Sequence, residues 1–205
     1  MEIKTFYTKF PENIYSFICD DGIFIVDPGE VTDELKEFVT GNAEKIKYIF
    51  LTHNHFDHIS GVAQVKKLCG NAKIVIHSSD AEGLSNPTKS LATYFGLEQN
   101  NTVADIFVKD QDIISMGNTQ ILIMHTPGHS KGSVCYIVGD IIFSGDTLFE
   151  GSCGRTDFPD GSDIEMTASL KKLKELSGDY NVYPGHGNKT KLSAERTFNP
   201  YMRNL

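Results

Sequence analysis

The sequence predicts an α/β chain built as a four-layer αββα sandwich, two sheets face to face with helices outside. Two observations carry that expectation. Strand-like and helix-like segments alternate twice along the chain, in the order βββαβαβ and then βββββαβα. Each half supplies several strands for one sheet and helices to cover its outer face. Periodicity alone leaves other α/β folds with the same inventory open.

The elements follow in order. IKTFYTKF (3–10) and NIYSFIC (13–19) read as strands, and Asp20-Asp21-Gly22 separates the second from GIFIVDPG (22–29). Asp-Gly between two apolar runs is a hairpin signal. Residues 33–41 predict a helix with Leu35, Phe38 and Val39 on one face. KIKYIFLT (45–52) is nearly continuous apolar sequence, as a buried strand requires. A helix over 60–69 turns Val62, Val65 and Leu68 inward and ends at Gly70; KIVIH (73–77) is the next strand.

Residues 78–103 contain Pro87, Gly96 and a polar run, and predict a short helix anchored by Leu91, Tyr94 and Phe95 beside a mobile flap. Strands resume with ADIFV (104–108), DII (112–114), TQILIMHT (119–126), SVCYIV (133–138) and DIIFSG (140–145). Ser162 opens a helix to 176, with Glu165 completing a capping box and Gly178 ending it. YNVYP (180–184) and a short helix at 190–198 finish the chain.

With 205 residues, 40% of them apolar and 22% charged, the chain has the composition of a globular protein and is read as one domain over 1–205. Acidic groups number 27 against 19 basic, a net charge of −8, which speaks against a nucleic-acid partner. No apolar run approaches the roughly 20 residues of a membrane helix, so no membrane partner is expected. MEIKTFYTKF lacks the apolar core of a secretory signal, and four cysteines without a CxxC pair suit a reducing cytoplasm.

The chemistry concentrates in His53-Asn54-His55-Phe56-Asp57-His58, four metal-ligand types in six residues directly after a buried strand. Imidazole and carboxylate together suit zinc, iron or manganese. In an extended loop residues two apart point the same way, so His53 and His55 can grip one ion, while Asp57 and His58 turn toward a second. A polar loop with ordinary surface histidines is the simpler reading, and the density of ligands weighs against it. Three further strands end in a ligand beside a glycine, at His129, Asp146 and His186. His77 and His125 fit no ligand pattern and are read as structural. No GxSxG elbow offers a competing nucleophile.

Together THNHFDH, TPGHSKGS, FSGDTLF and YPGHG resemble the metal-binding motifs of the metallo-β-lactamase-fold hydrolases. The resemblance implies the αββα fold. It also implies one metal held by His53, His55 and His129, a second by Asp57, His58 and His186, and Asp146 bridging both. Two divalent ions are implied, zinc foremost, with iron or manganese as alternatives. GSCGRTDFPDGS and ERTFNPY resemble the short bacterial glyoxalase II-like branch, which implies hydrolysis of a small-molecule thioester by a hydroxide between two metals. Asp57 is then the catalytic residue that orients it. A thiolate, whose thiol has a pKa near about 8.5, leaves without a strong general acid.

The helical glutathione-binding domain of full-length glyoxalase II is not expected, because the sequence ends soon after His186. Cys153-Gly154-Arg155-Thr156-Asp157-Phe158 also resembles persulfide dioxygenases, which use one iron on the same scaffold. A non-catalytic metal-binding protein is the alternative from another class. Asp27, Thr52, Ser130 and Ser133 are candidates to orient the ligands, although Asp27 in VDPG suits a plain turn equally well. Lys131, Arg155 and Tyr94 could meet an anionic substrate but are read as solvated surface.

Overall fold

The computed structural model describes residues 1–205. β1 (Glu2–Tyr7), β2 (Asn13–Cys19) and β3 (Gly22–Val26) form an antiparallel meander, and the two-residue connection Asp20-Asp21 sets Cys19 opposite Gly22. α1 (Asp33–Gly41) starts where the Thr32 hydroxyl accepts the Leu35 N–H, and it buries Leu35 and Val39. β4 (Ile46–Phe50) then runs parallel to β3. α2 (Phe56–Ile59) is a single turn, followed by α3 (Val62–Cys69). The expected helix over 60–69 therefore begins two residues late. Gly61 is needed at the junction, since a Cβ there would lie 2.5 Å from the Pro28 carbonyl oxygen.

β5 (Lys73–His77) and β6 (Ile106–Val108) extend the sheet in parallel, giving the order β1-β2-β3-β4-β5-β6. This corrects one expectation: ADIFV belongs to the first sheet, not the second. Residues 78–103 form two short 3-10 turns, Ala81–Leu84 and Thr93–Phe95, in place of the expected helix. Of its three expected anchors only Leu91 is buried; Tyr94 and Phe95 are exposed.

β7 (Ile113–Met116), β8 (Thr119–His125), β9 (Val134–Val138) and β10 (Ile141–Gly145) are antiparallel neighbours. β11 (Leu148–Phe149) and β12 (Ser152–Cys153) make a small separate hairpin. α4 (Asp163–Lys174) is capped by Ser162, whose hydroxyl accepts the Glu165 N–H. β13 (Asn181–Pro184) returns parallel to β10, and β14 (Thr190–Lys191) precedes α5 (Leu192–Phe198). The second sheet has the order β14-β13-β10-β9-β8-β7.

Strand periodicity separates the layers. In β3, Ile23 and Ile25 face outward onto α1 and α3 with Leu35, Val39, Val62 and Val65. Phe24 and Val26 face the other sheet, where they meet Tyr136 and Phe143. The inter-sheet core is aromatic: Phe24 lies edge-on to Phe143 at 5.7 Å, and Phe50 packs on Tyr136 at 4.6 Å. On the far face Ile137, Ile142 and Val182 are covered by Met166, Leu170 and Leu173 of α4 and Leu192 of α5. Each such buried side chain contributes about 1.5–3 kcal/mol, and this packing holds the two sheets and their helices together. No helix is long and apolar enough to cross a membrane.

Candidate metal centre

The ligand-bearing loops leave this sandwich at one edge. The 53–58 segment follows β4, His129 lies in the turn between β8 and β9, Asp146 follows β10 and His186 follows β13. All seven predicted residues meet there. Ligand atoms of His53, His55 and His129 lie within 4.8 Å of one another, as do those of Asp57, His58 and His186. Asp146 stands between the triads, with Oδ2 at 3.3 Å from His129 Nε2 and 3.5 Å from His186 Nε2. Oδ1 lies 3.4 Å from His58 Nε2. Gly185 permits this approach, because a Cβ there would fall 2.3 Å from Asp146 Oδ1.

Four histidines are tethered outward by one ring nitrogen. His129 Nδ1 donates to the Arg155 carbonyl and His186 Nδ1 to the Pro11 carbonyl, both at 2.7 Å. A carbonyl only accepts, so each ring carries its proton on Nδ1 and turns an Nε2 lone pair inward. Asp27 does the same for the other two. Its Oδ2 accepts from His58 Nδ1 at 3.0 Å and from the Thr52 hydroxyl at 2.5 Å. With its proton so used, Thr52 Oγ1 accepts from His53 Nδ1 at 3.0 Å. Asp27 also forms a group with His53 and His58, but its oxygens are occupied as acceptors, so it orients rather than ligates. It is a turn residue as well, with φ at +48°; both readings of VDPG hold.

The donor set fits a divalent cation. His53 Nε2 is buried without any hydrogen-bond partner. His55 Nδ1 and His129 Nε2 are only 2.8 Å apart, and lone pairs at that distance repel unless a proton or a cation lies between them. Burial pushes His53 well below the usual imidazole range. Burial, then the neighbouring His129, lowers His55 to about 3. Both rings are therefore neutral, as a metal ligand must be. Burial alone would lower His58, but the Asp146 and Asp57 carboxylates outweigh it and raise His58 well above its ordinary value. Burial would likewise raise Asp57 and Asp146, yet His58 holds both below the carboxylate range. A cation seated among these carboxylates would take over the role of the His58 proton.

Sequence reasoning missed two buried acids. Asp80 accepts the Gly132 N–H and the Ser130 hydroxyl at 2.6 Å each, and the Asn54 N–H at 3.1 Å. It ties the turn carrying His129 to the loop carrying His53 and His55. Ser130 and Ser133 thus organise around Asp80 and each other rather than touching a ligand histidine, which corrects their expected role; Asp27 and Thr52 keep theirs. Glu12 forms a backbone bridge with His186 and buries a carboxyl with no partner. Burial raises its pKa well above the ordinary value. The neighbouring Asn13 amide donates to the Pro184 and Gly187 carbonyls, clamping the His186 loop from the first sheet. No local pattern marks Asp80 or Glu12.

His77 and His125 stack on each other at 4.1 Å and belong to neither triad. Lys131 pairs with Asp160 and Arg155 with Asp157. A cavity of about 470 Å³ opens over the centre, with His55, Asp57, His129, Asp146 and His186 among its lining residues.

Two sheets edged by a three-histidine group and an Asp-His-His group define a metallo-hydrolase-type enzyme that takes divalent metal. The chain belongs to the Metallo-beta-lactamase superfamily, which it matches over residues 7–186. It is similar to the hydroxyacylglutathione hydrolase GloC of Haemophilus influenzae, 31% identical over 206 residues, covering 95% of this chain and 94% of that one. Among solved structures, BLEG-1 B3 metallo-beta-lactamase superposes with a TM-score of 0.90 at 30% identity, covering 98% of this chain and 99% of that one. TTHA1623 in a di-iron-bound form superposes with a TM-score of 0.84 at 30% identity, covering 98% and 100%.

Proposed function

We propose that this chain hydrolyses a small thioester, with His53, His55 and His129 holding one divalent cation, Asp57, His58 and His186 a second, and Asp146 both. The observation that carries the reading is the set of outward tethers, which leaves inward lone pairs and strands His53 Nε2 without a partner. Zinc is the first candidate; the di-iron form of a relative at 30% identity supports iron as well, and manganese fits the same ligands. The similarity to GloC supports the thioester.

Bound divalent cations supply Lewis acidity, which polarises a carbonyl and makes water acidic enough to react near neutral pH. The chain's own residues do the rest. Asp57 is partly accessible from the cavity, and a cation beside it would keep its carboxyl ionised, as the His58 proton does here. It can therefore accept a hydrogen bond from the attacking water, orient it and take its proton. The water oxygen bonds to the carbonyl carbon, the C–S bond breaks, and sulfur leaves with the electron pair as a thiolate. Asp57 passes its proton to the departed thiolate or to solvent, and the remaining proton passes from the acid product to solvent. Asp27 and Thr52 keep His53 and His58 in the ligating tautomer throughout. All four cysteines are free thiols, which supports a cytoplasmic setting. The net charge of −8 supports a small-molecule partner over a nucleic acid.

Metal analysis of protein purified without added metal, followed by a thioester panel, tests this reading. Two ions per chain and metal-dependent thioester cleavage are expected. One iron per chain, with oxygen uptake on a persulfide and no thioester cleavage, would replace it with a persulfide dioxygenase. Bound metal without any turnover would leave a metal-binding protein.

A further inference from the structure

The cavity over the metal centre is walled on one side by Phe56, Leu91, Phe95 and Phe158. Phe56 and Leu91 belong to one apolar cluster, with Phe158 packed against it. Phe56 packs on Phe95 at 4.9 Å, and Phe158 meets His55 edge-on at 5.5 Å. Phe10 extends it by an edge contact to Phe56 at 6.0 Å. The outer rings are open to solvent, Phe95 at 50% and Phe10 at 51% exposure. Half-exposed aromatic rings grouped at the mouth of a reactive centre mark a binding surface more than an accident of packing.

Charge points the same way. Arg155 is the only cation lining the cavity, and both its Nε and Nη2 donate to the Asp157 carboxylate at 2.6 Å. Its guanidinium lies over Phe158, 4.2 Å from the ring centre. Outside the cavity lining, Lys89 and Lys131 share Asp160. The cavity lining thus offers apolar surface and no Lys or Arg free of a carboxylate partner. We propose that the Phe56–Leu91–Phe95–Phe158 wall selects substrates bearing an apolar, ring-sized group beside the reacting carbonyl, on the acyl or the thiol side. As a statement about substrate class, this rests on the thioester reading above.

The test uses metal-loaded, full-length protein. S-phenylacetylglutathione is compared with S-lactoylglutathione for the acyl side, and the acetyl thioesters of benzyl mercaptan and mercaptoethanol for the thiol side. At least about a tenfold preference in kcat/KM for the aromatic member of one pair is expected, because a whole ring leaves water on binding; the pair that shows it identifies the side. Phe95→Ala should erase most of that preference, chiefly through KM, and Phe95→Leu should restore part of it. Phe95 is half-exposed, so both variants are expected to fold, and thermal melts check this. Equal or reversed preference in both pairs overturns the proposal, as does a Phe95→Ala variant that slows all four substrates alike. S-benzylglutathione and S-methylglutathione, uncleavable thioethers, are titrated calorimetrically in parallel. If no thioester turns over, the hydrolase reading fails, and the wall is judged on this binding. Benzyl binding at least about tenfold tighter than methyl, and lost in Phe95→Ala, sustains it; equal affinities overturn it.

Discussion

Asp27 Oδ2 lies 3.0 Å from His58 Nδ1, and through the Thr52 hydroxyl the same oxygen governs His53. One carboxylate therefore sets the tautomer of a histidine in each triad. Asp27→Asn keeps the shape but turns an NH2 group toward one of three donors: the Thr52 N–H, the Thr52 hydroxyl or His58 Nδ1. Loss of such an orienting partner typically costs 10–100-fold in metal affinity. Competition with a chelator measures it, and unchanged affinity would remove Asp27 from this role.

His55 reaches inward through Nδ1, 2.8 Å from His129 Nε2. His55→Ala should lose metal and hydrolysis together while the sheets remain folded by circular dichroism. Stripping metal from the native protein should lower its Tm, since a ligand that binds only the folded state stabilises it. A stripped protein with full activity would contradict the assignment.

Asp57→Asn should leave the fold intact and lower kcat by at least roughly 100-fold, the scale of a lost general base. The metal content of the variant is read in parallel, separating loss of a ligand from loss of a proton acceptor. Wild-type kcat would show that Asp57 neither orients nor deprotonates the water.

Burial raises Asp80 to about 6 despite the Ser130, Gly132 and Asn54 donors. The folded protein then holds this proton at pH values where the unfolded chain, with an ordinary Asp near about 3.9, has released it. The folded state binds more protons in that window, so stability attributable to Asp80 is greatest below about pH 4 and falls as pH rises toward 6. Asp80→Asn cannot titrate. The stability of wild type relative to Asp80→Asn should therefore fall between about pH 4 and pH 6 in urea titrations. A difference independent of pH would refute the shift.

Gly185→Ala would place a Cβ 2.3 Å from Asp146 Oδ1 and 2.7 Å from His58 Cε1. The fold should survive, because the strain falls on the loop after β13 rather than on the core. Metal affinity should fall at least roughly tenfold as Asp146 is displaced, which calorimetric metal titration would detect.

The seven ligand-type side chains were legible in the sequence because each lies at or just past the end of an apolar run; that these strand ends share one edge was decided by the directions in which the strands pair. The Asp20-Asp21-Gly22 hairpin and the Ser162 cap were legible too, since their partners lie within a few residues. Nothing local told ADIFV which sheet to join; that depends on parallel pairing with β5, across the 78–103 segment. Nor did any pattern reveal that Asp80 braces two ligand loops, 26 and 50 residues away from Asn54 and Ser130. Glu12 approaches His186 across the two sheets, with most of the chain between them. Periodicity and turn chemistry act over a few residues, whereas a buried carboxylate finds its donors wherever packing brings them, and that distance in sequence carries no local signal.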